Sequence, residues 1–304
     1  MTKIKKVLAY GSAILIIIVV LGALYSLGVF NFVNFAPKAP PGACQVLRPN
    51  GPGTTSSIKL KGICNGELPE YVASFNGQAR TSYVLIPPIE ALNEHSSYSI
   101  SAWLEYRDGS QYFSQNPFPV SWPGCPMGFV FRAPSTIMFF DWYTSNATNP
   151  PGCPTSAEDL VAPSGVTIMP DKFYLVTSTY NSSTGQINFY VNGQYISDAT
   201  VPSGNYLSNY AETGYLGDAM DGNTWAKFFN GSLANIQIYN TSLSPNGIKA
   251  LYLEGIGGAP IDLQNLAGWW PLNGNANDYS GNGNNGTPIN VTYTSSWYSG
   301  YSKP

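Results

Sequence analysis

The sequence predicts an all-β protein: a two-sheet antiparallel sandwich preceded by one N-terminal transmembrane helix. Three observations lead there. Only 10% of the 304 residues are charged, while Gly numbers 31, Pro 24 and Tyr 21, a composition rich in turn and strand formers. Residues 173–196 read FYLVTSTY, NSSTG, QINFYVNGQYI. There Ile187, Phe189 and Val191 alternate with Gln186, Asn188 and Tyr190, the period of a strand with one buried face. Finally, residues 7–30 hold no charged side chain at all.

That apolar stretch comes first in the chain. At 1.5 Å per residue it spans roughly 36 Å as a helix, enough to cross a hydrocarbon core of about 30 Å. Lys3, Lys5 and Lys6 precede it and the next basic residue is Lys38. The bias puts residues 1–6 in the cytoplasm and the bulk of the chain outside, at the cell surface. A cleaved signal peptide is the alternative, but its apolar core is normally shorter. Residues 31–43, with Pro37, Pro40 and Pro41, read as a short stalk. Residues 44–66 read as a hairpin with Cys44 and Cys64 at its ends; Cys125 and Cys153 bracket a second excursion. Four cysteines permit three pairings. The local one, Cys44–Cys64 and Cys125–Cys153, is the expectation, and an extracellular location favours the disulfide bond. No close C-x-x-C pair or histidine cluster points to a metal there.

From residue 67 onward the strand pattern is nearly continuous. YVASFN (71–76) and YSISAWLE (98–105) alternate, with Ile100, Ala102 and Leu104 on one side and Ser99, Ser101 and Trp103 on the other. Residues 83–86, 128–132 and 136–142 are further strands. Residues 181–185 and Asn192-Gly193 supply tight turns, the second because both residues tolerate positive φ. FFNGSLANIQIY (228–239) closes the meander, with Leu233, Asn235, Gln237 and Tyr239 set against Ala234, Ile236 and Ile238. Ser244-Pro245 then opens a short helix, Ser as N-cap and Pro at the first helical position. Ile248, Leu251 and Tyr252 share one face, and Gly255 ends it. Residues 266–272 and 289–297 read as strands that return to the same sandwich, so 67–304 is one domain completed by 263–304.

Charge narrows the partners. The formal net charge is -3, and three of the fourteen basic residues precede the apolar stretch, so the remainder stands at net -6. No basic stripe exists to neutralise phosphate, which argues against nucleic acid. His95 is the sole histidine, in a polar stretch that reads as surface, so a Ser-His-Asp arrangement has little to build on.

The ordered motifs FNG (75–77), SISAWL, FYLVTSTYNSSTGQINFYVNG and FNGSLANIQIYNTSLSPNGIKALY resemble those of the laminin-G-like, concanavalin A-like jelly-roll superfamily. The resemblance covers most of 67–254. GWWPLNGNANDYSGNGNNG (268–286) is similar to the segment that usually opens such a domain; here it comes last, which implies a circularly permuted order. The superfamily holds lectins, adhesion modules and glycosidases. Its glucanase branch implies an E-x-D-x-x-E run on one strand, which this chain lacks, so the resemblance implies recognition and not an enzyme, with catalytic residues none. Related domains bind calcium, so the resemblance implies calcium as an optional cofactor, with Asp218, Asp221 and Asp278 as the candidate ligands; solvated loop acids are the plain alternative. Residues 9–30 resemble the N-terminal helix of archaeal type IV pilin-like proteins, but Val7 follows Lys5-Lys6 where a small residue is expected.

Aromatic side chains in or beside loops serve as sugar platforms, because a ring face offers apolar contact. Trp122, Trp142, Tyr143 and Trp225 are the candidates; Trp103, Trp269 and Trp270 fall in strand patterns and read as core. Asn146, Asn181, Asn230, Asn240, Asn285 and Asn290 begin N-x-S/T sequons, which an outward topology opens to glycosylation. The resulting expectation is a membrane-anchored surface recognition or adhesion protein that binds glycans. Its first alternative is a pilin-like subunit packed with copies of itself in a filament. A glycan hydrolase is the second.

Overall fold

The computed structural model describes residues 68–304 apart from 79–80, 90–91, 93–95, 108–119, 123–126, 134–135, 145–157, 163–166, 204–205, 208–212, 219, 222–223 and 226–227. The expectations for the 7–30 helix and its pilin-like reading, the 31–43 stalk, the 44–66 hairpin, all four cysteines, His95 and Asn146 lie outside the described residues. Among the described residues no helix is long and apolar enough to cross a membrane.

In chain order the strands are β1 (Val72–Asn76), β2 (Tyr83–Ile86), β3 (Tyr98–Tyr106), β4 (Val120–Trp122), β5 (Met127–Ala133) and β6 (Thr136–Thr144). There follow β7 (Glu158–Ala162), β8 (Tyr174–Asn181), β9 (Gln186–Val191), β10 (Gln194–Thr200), β11 (Tyr206–Leu207) and β12 (Gly214–Leu216). The last are β13 (Met220–Asp221), β14 (Thr224–Trp225), β15 (Asn230–Tyr239), β16 (Leu266–Trp270), β17 (Thr287–Ile289) and β18 (Thr292–Thr294), with helix α1 (Pro245–Glu254) between β15 and β16. The first sheet has the order β10-β9-β8-β3-β15-β1-β18, with β16 also on β15. The second runs β11-β6-β5-β4-β12-β2-β17, with β7 on β6, and β13 and β14 form a separate ribbon. The fold is therefore an all-β two-sheet antiparallel sandwich.

The residues after α1 are divided between the two sheets. β16 pairs with β15 and β18 with β1 in the first sheet, while β17 pairs with β2 in the second. β1 occupies the Asn230–Leu233 half of β15 and β16 the Ile236–Tyr239 half, so the two short strands share one lane beside the long one.

Between the sheets lies a core that includes Ile100, Ala102 and Leu104 from β3, Ile187, Phe189 and Val191 from β9, and Ile236, Ile238 and Trp270. A second apolar cluster forms on the other face of the first sheet, where Trp103, Ala234, Tyr239 and Trp269 meet Ile248 and Leu251 of α1 and Trp297 of the tail. The face of β3 that alternation assigns to solvent is thus covered: every residue of that strand is buried. Its serines answer burial with hydrogen bonds, Ser99 Oγ donating to Thr241 O at 2.7 Å and Ser101 Oγ paired with Thr177 Oγ1 at 3.1 Å.

Local chemistry shapes the helix and turns. Ser244 Oγ accepts from Gly247 N at 3.2 Å, Pro stands at the first turn, and Gly255 at φ 80° ends α1. Asn192 (φ 50°) and Gly193 (φ 72°) make the two-residue turn between β9 and β10. A Cβ on Gly193 would lie 2.9 Å from Tyr252 Cβ, so α1 packs directly on that turn.

The alternation expected along β15 breaks at one residue. Asn235 has φ 49°, and the register against β3 shifts between Ala234 and Gln237. This bulge resets the phase. Leu233 therefore joins Ile236 and Ile238 in the inter-sheet core, away from Asn235, Gln237 and Tyr239 with which simple alternation grouped it.

The loop after β16 is organised by one carboxylate. Asp278 Oδ1 accepts from Trp269 N at 3.0 Å and Ser280 N at 2.9 Å; Oδ2 accepts from Ser280 Oγ and Asn284 N, both at 2.9 Å. Asn282 Nδ2 adds bonds to the carbonyls of Leu266 and Ala267. Asp278→Ala leaves three backbone donors in a buried loop without their acceptor. We expect a loss of about 2–4 kcal/mol in urea unfolding; a loss below about 0.5 kcal/mol would contradict this account.

Candidate functional site

Three cross-strand pairings in register place four polar side chains in a row across the first sheet. Glu105 on β3 lies opposite Ser232 on β15, Ser232 opposite Ser74 on β1, and Ser74 opposite Thr292 on β18. Their neighbours Leu104, Leu233, Ala73 and Phe75 point into the inter-sheet core. Alternation therefore turns the row to the outer face, the same face that α1 and the tail cover elsewhere.

There the row floors a groove of about 670 Å³. One wall is Asp171 and Phe173, which precede β8; the opposite wall is the tail, from Thr294 through Ser296, Trp297 and Ser299 to Gly300. The tail is pinned at its far end. Phe173 N donates to Gly300 O at 2.8 Å, and a Cβ on Gly300 would lie 2.6 Å from Asp171 O. Only glycine permits that approach. Trp297 packs edge-on against Phe173 with ring centroids 5.7 Å apart and is 4% exposed. Its indole N–H has no acceptor among the described residues.

Arg107 ties the floor together. Its Nη2 donates to Ser74 Oγ at 2.9 Å and Ser232 Oγ at 2.8 Å, and its Nη1 to Phe75 O at 3.3 Å. Glu105 Oε2 lies 3.9 Å from Nη2. Ser232 accepts from the guanidinium and turns its own proton to the Glu105 carboxylate, so the hydroxyl relays between the two charges. Glu105 is 8% exposed. Burial pushes its carboxyl above the ordinary value of 4.5; Ser232 and Arg107 pull it down, and the charge of nearby Asp171 pushes it up. Asp171 itself sits at φ 57°, a left-handed conformation that Asp and Asn adopt more readily than most residues. Its N–H is held by Tyr106 O at 2.8 Å.

The residues singled out from the sequence lie elsewhere. Trp122 ends β4 and pairs with Met127, next to Gly128, which pairs with Phe140; this register brings Trp122, Trp142 and Tyr143 to one end of the second sheet. Trp225 lies on β14, in the separate ribbon, opposite Met220. For these four, and for Asp221, the described structure is backbone only. Trp103, Trp269 and Trp270 are buried core.

Calcium finds no fit among the described acids. Asp278 already accepts four hydrogen bonds. Asp218 is buried and 60 residues away in sequence. Among the described residues no three His, Cys, Asp or Glu side chains gather closely enough to hold a metal ion. Of the sequons, Asn240, Asn285 and Asn290 are exposed, and Asn181 and Asn230 are half-buried.

The two-sheet antiparallel order accords with the comparison with known families. A laminin-G family model described as the concanavalin A-like lectin/glucanases superfamily matches residues 76–249. The chain belongs to this superfamily. The match ends within α1, so β16, β17 and β18 lie beyond it. No curated protein matches the chain. Among solved structures it is similar to a candidate carbohydrate-binding protein from Bacteroides ovatus, with 16% identity and a TM-score of 0.51, over 74% of this chain and 59% of that one. A heptameric SAP-like pentraxin from Limulus polyphemus is 13% identical, with a TM-score of 0.42 over 60% of this chain and 81% of that one. Domain 4 of an extracellular arabinanase from Geobacillus stearothermophilus, in complex with arabinotriose, is 18% identical, also at 0.42, over 60% and 76%. The first of these reaches the level of a shared fold. The chain spans little more than half of that protein's length.

The acid pair makes a measurable prediction. The folded value of Glu105 lies above the unfolded one, so the folded protein keeps a proton that the unfolded chain releases. This contribution favours folding below the ordinary carboxylate value of 4.5 and fades as pH rises through the raised value. Glu105→Gln is expected to remove that slope from a plot of unfolding free energy against pH over the range just above 4.5. Superimposable pH profiles for variant and parent would refute the assignment.

Proposed function

We propose that the chain is a lectin-like recognition module of the cell surface that binds glycans in the outer-face groove. The observation that carries this reading is the row Glu105–Ser232–Ser74–Thr292 with Arg107 among it. Hydroxyls, a carboxylate and a guanidinium are set side by side across four strands, on a sheet face that apolar packing seals beside them. Such a mixture of donors and acceptors matches the hydroxyl-rich edge of a sugar. Membership of a superfamily that contains lectins supports it. Anchorage through residues 7–30, with the sandwich outside, belongs to the same proposal and rests on the lysine bias. So does the permuted order, which rests on the likeness of residues 268–286 to the segment that usually opens such a domain.

Hydrolysis fits less well. Glycosidases hold two carboxyl groups about 5 Å or more apart around the scissile bond. Glu105 and Asp171 stand within hydrogen-bonding reach of each other, which leaves no room between them for a glycosidic oxygen. Trp122, Trp142 and Tyr143, whose strand positions fall at one end of the other sheet, stay in the proposal as a second contact area.

The test is binding of the full-length protein to a panel of immobilised polysaccharides, beside Thr292→Trp. Thr292 is exposed at the groove edge, so the indole fills the groove without entering the core. Binding is expected to fall by about ten-fold or more with an unchanged melting temperature. Retained binding by the variant would move the site elsewhere.

A further inference from the structure

We propose that the groove selects neutral glycans, gripping vicinal hydroxyls with the Glu105 and Asp171 carboxylates and rejecting uronate and sulfate groups. The inference rests on the glycan-binding reading above and specifies its ligand.

Selectivity turns on which hydrogens of Arg107 remain free. An arginine captures a carboxylate or sulfate by presenting two parallel N–H bonds. Both such forks of a guanidinium, end-on through Nη1 and Nη2 or side-on through Nε and Nη2, use an Nη2 hydrogen. Both Nη2 hydrogens are already given to Ser74 Oγ and Ser232 Oγ, and one on Nη1 goes to Phe75 O. The guanidinium is therefore built into the floor and offers no fork to an anion. Its charge is also answered from within, by Glu105 Oε2 at 3.9 Å.

What stays available is acceptor capacity. Asp171 is exposed on the wall, and Glu105 lies beside it on the floor. Wherever both carboxyls are ionised, the groove holds one surplus negative charge once Arg107 is counted. A neutral sugar places hydroxyls on adjacent carbons about 2.8 Å apart, close enough for two neighbouring carboxylates to accept one each. Ser74, Ser232, Thr292 and Ser299 surround them with groups able to donate or accept. A uronate entering the same space meets like charge and no bidentate donor, a combination that discriminates by repulsion as well as by missing attraction.

The experiment measures binding of the full-length protein to a neutral polysaccharide (arabinan or mannan), an anionic one (polygalacturonate) and a cationic one (chitosan). Asp171→Asn and Glu105→Gln are tested alongside. Asparagine tolerates the φ of 57° at position 171, so that variant folds even if the buried one does not. The expected result is neutral binding that weakens roughly ten-fold in Asp171→Asn, with anionic polymer bound weakly or not at all. Tighter binding of polygalacturonate, binding of chitosan alone, or neutral binding untouched by Asp171→Asn would each overturn the selectivity while leaving glycan recognition intact. Absence of binding to all three classes would overturn the glycan-binding reading itself.

Discussion

Asn235 is the constraint on which the outer face of the first sheet depends. Its left-handed backbone breaks the pairing of β15 with β3, and its own groups then bind three separate parts of the chain. The side-chain Nδ2 donates to Gly258 O at 2.9 Å in the segment after α1; Oδ1 accepts from Trp269 Nε1 at 2.8 Å on β16 and from Gln237 Nε2 at 2.9 Å; the backbone N–H reaches Pro271 O at 3.1 Å. Gln237 Oε1 in turn accepts from Tyr239 Oη at 2.6 Å, and burial pushes that phenol far above its ordinary range. Every member is buried and each is partnered, the condition under which a polar network specifies one arrangement. With Asn235 fixed, α1, the segment after it and β16 have one way to lie on the sheet, and the tail follows.

That arrangement divides a single sheet face in two. Where Trp103, Ala234 and Tyr239 project, α1 and Trp297 seal it as a second core. Where Glu105, Ser232 and Ser74 project, the tail stands away and leaves the groove. The boundary falls within single strands: on β3, Trp103 belongs to the sealed half and Glu105, two residues on, to the open one. The groove and the second core are thus separated by two residues of one strand, one repeat of the pleat.

Much of the fold was legible because it is local. Ile187, Phe189 and Val191 share a face as their spacing implies, Asn192-Gly193 makes the tight turn, and Ser244-Pro245 starts α1 where capping chemistry places it. The phase of β15 was not legible, because Asn235 is a bulge only in relation to β3 and Trp269. The groove was less legible still. Glu105 reads only as the end of a strand, and nothing in the sequence singles out Arg107 or Asp171, the latter 66 positions from Glu105. Their meeting depends on the registers of β3, β15 and β1 and on the tail docking at Gly300. The resemblance singles out Asp278 as a candidate calcium ligand; what the sequence does not reveal is that it accepts from three backbone N–H groups and the Ser280 hydroxyl.

The tail wall has a consequence for synthesis. Residues 292–300 are the last part of the groove to leave the ribosome, and the site has no second wall until they dock on Asp171 and Phe173. A nascent chain that has emerged only through residue 290 therefore lacks one side of the groove, however much of the two sheets has already paired. On the reading proposed above, ligand capture waits for this segment to dock.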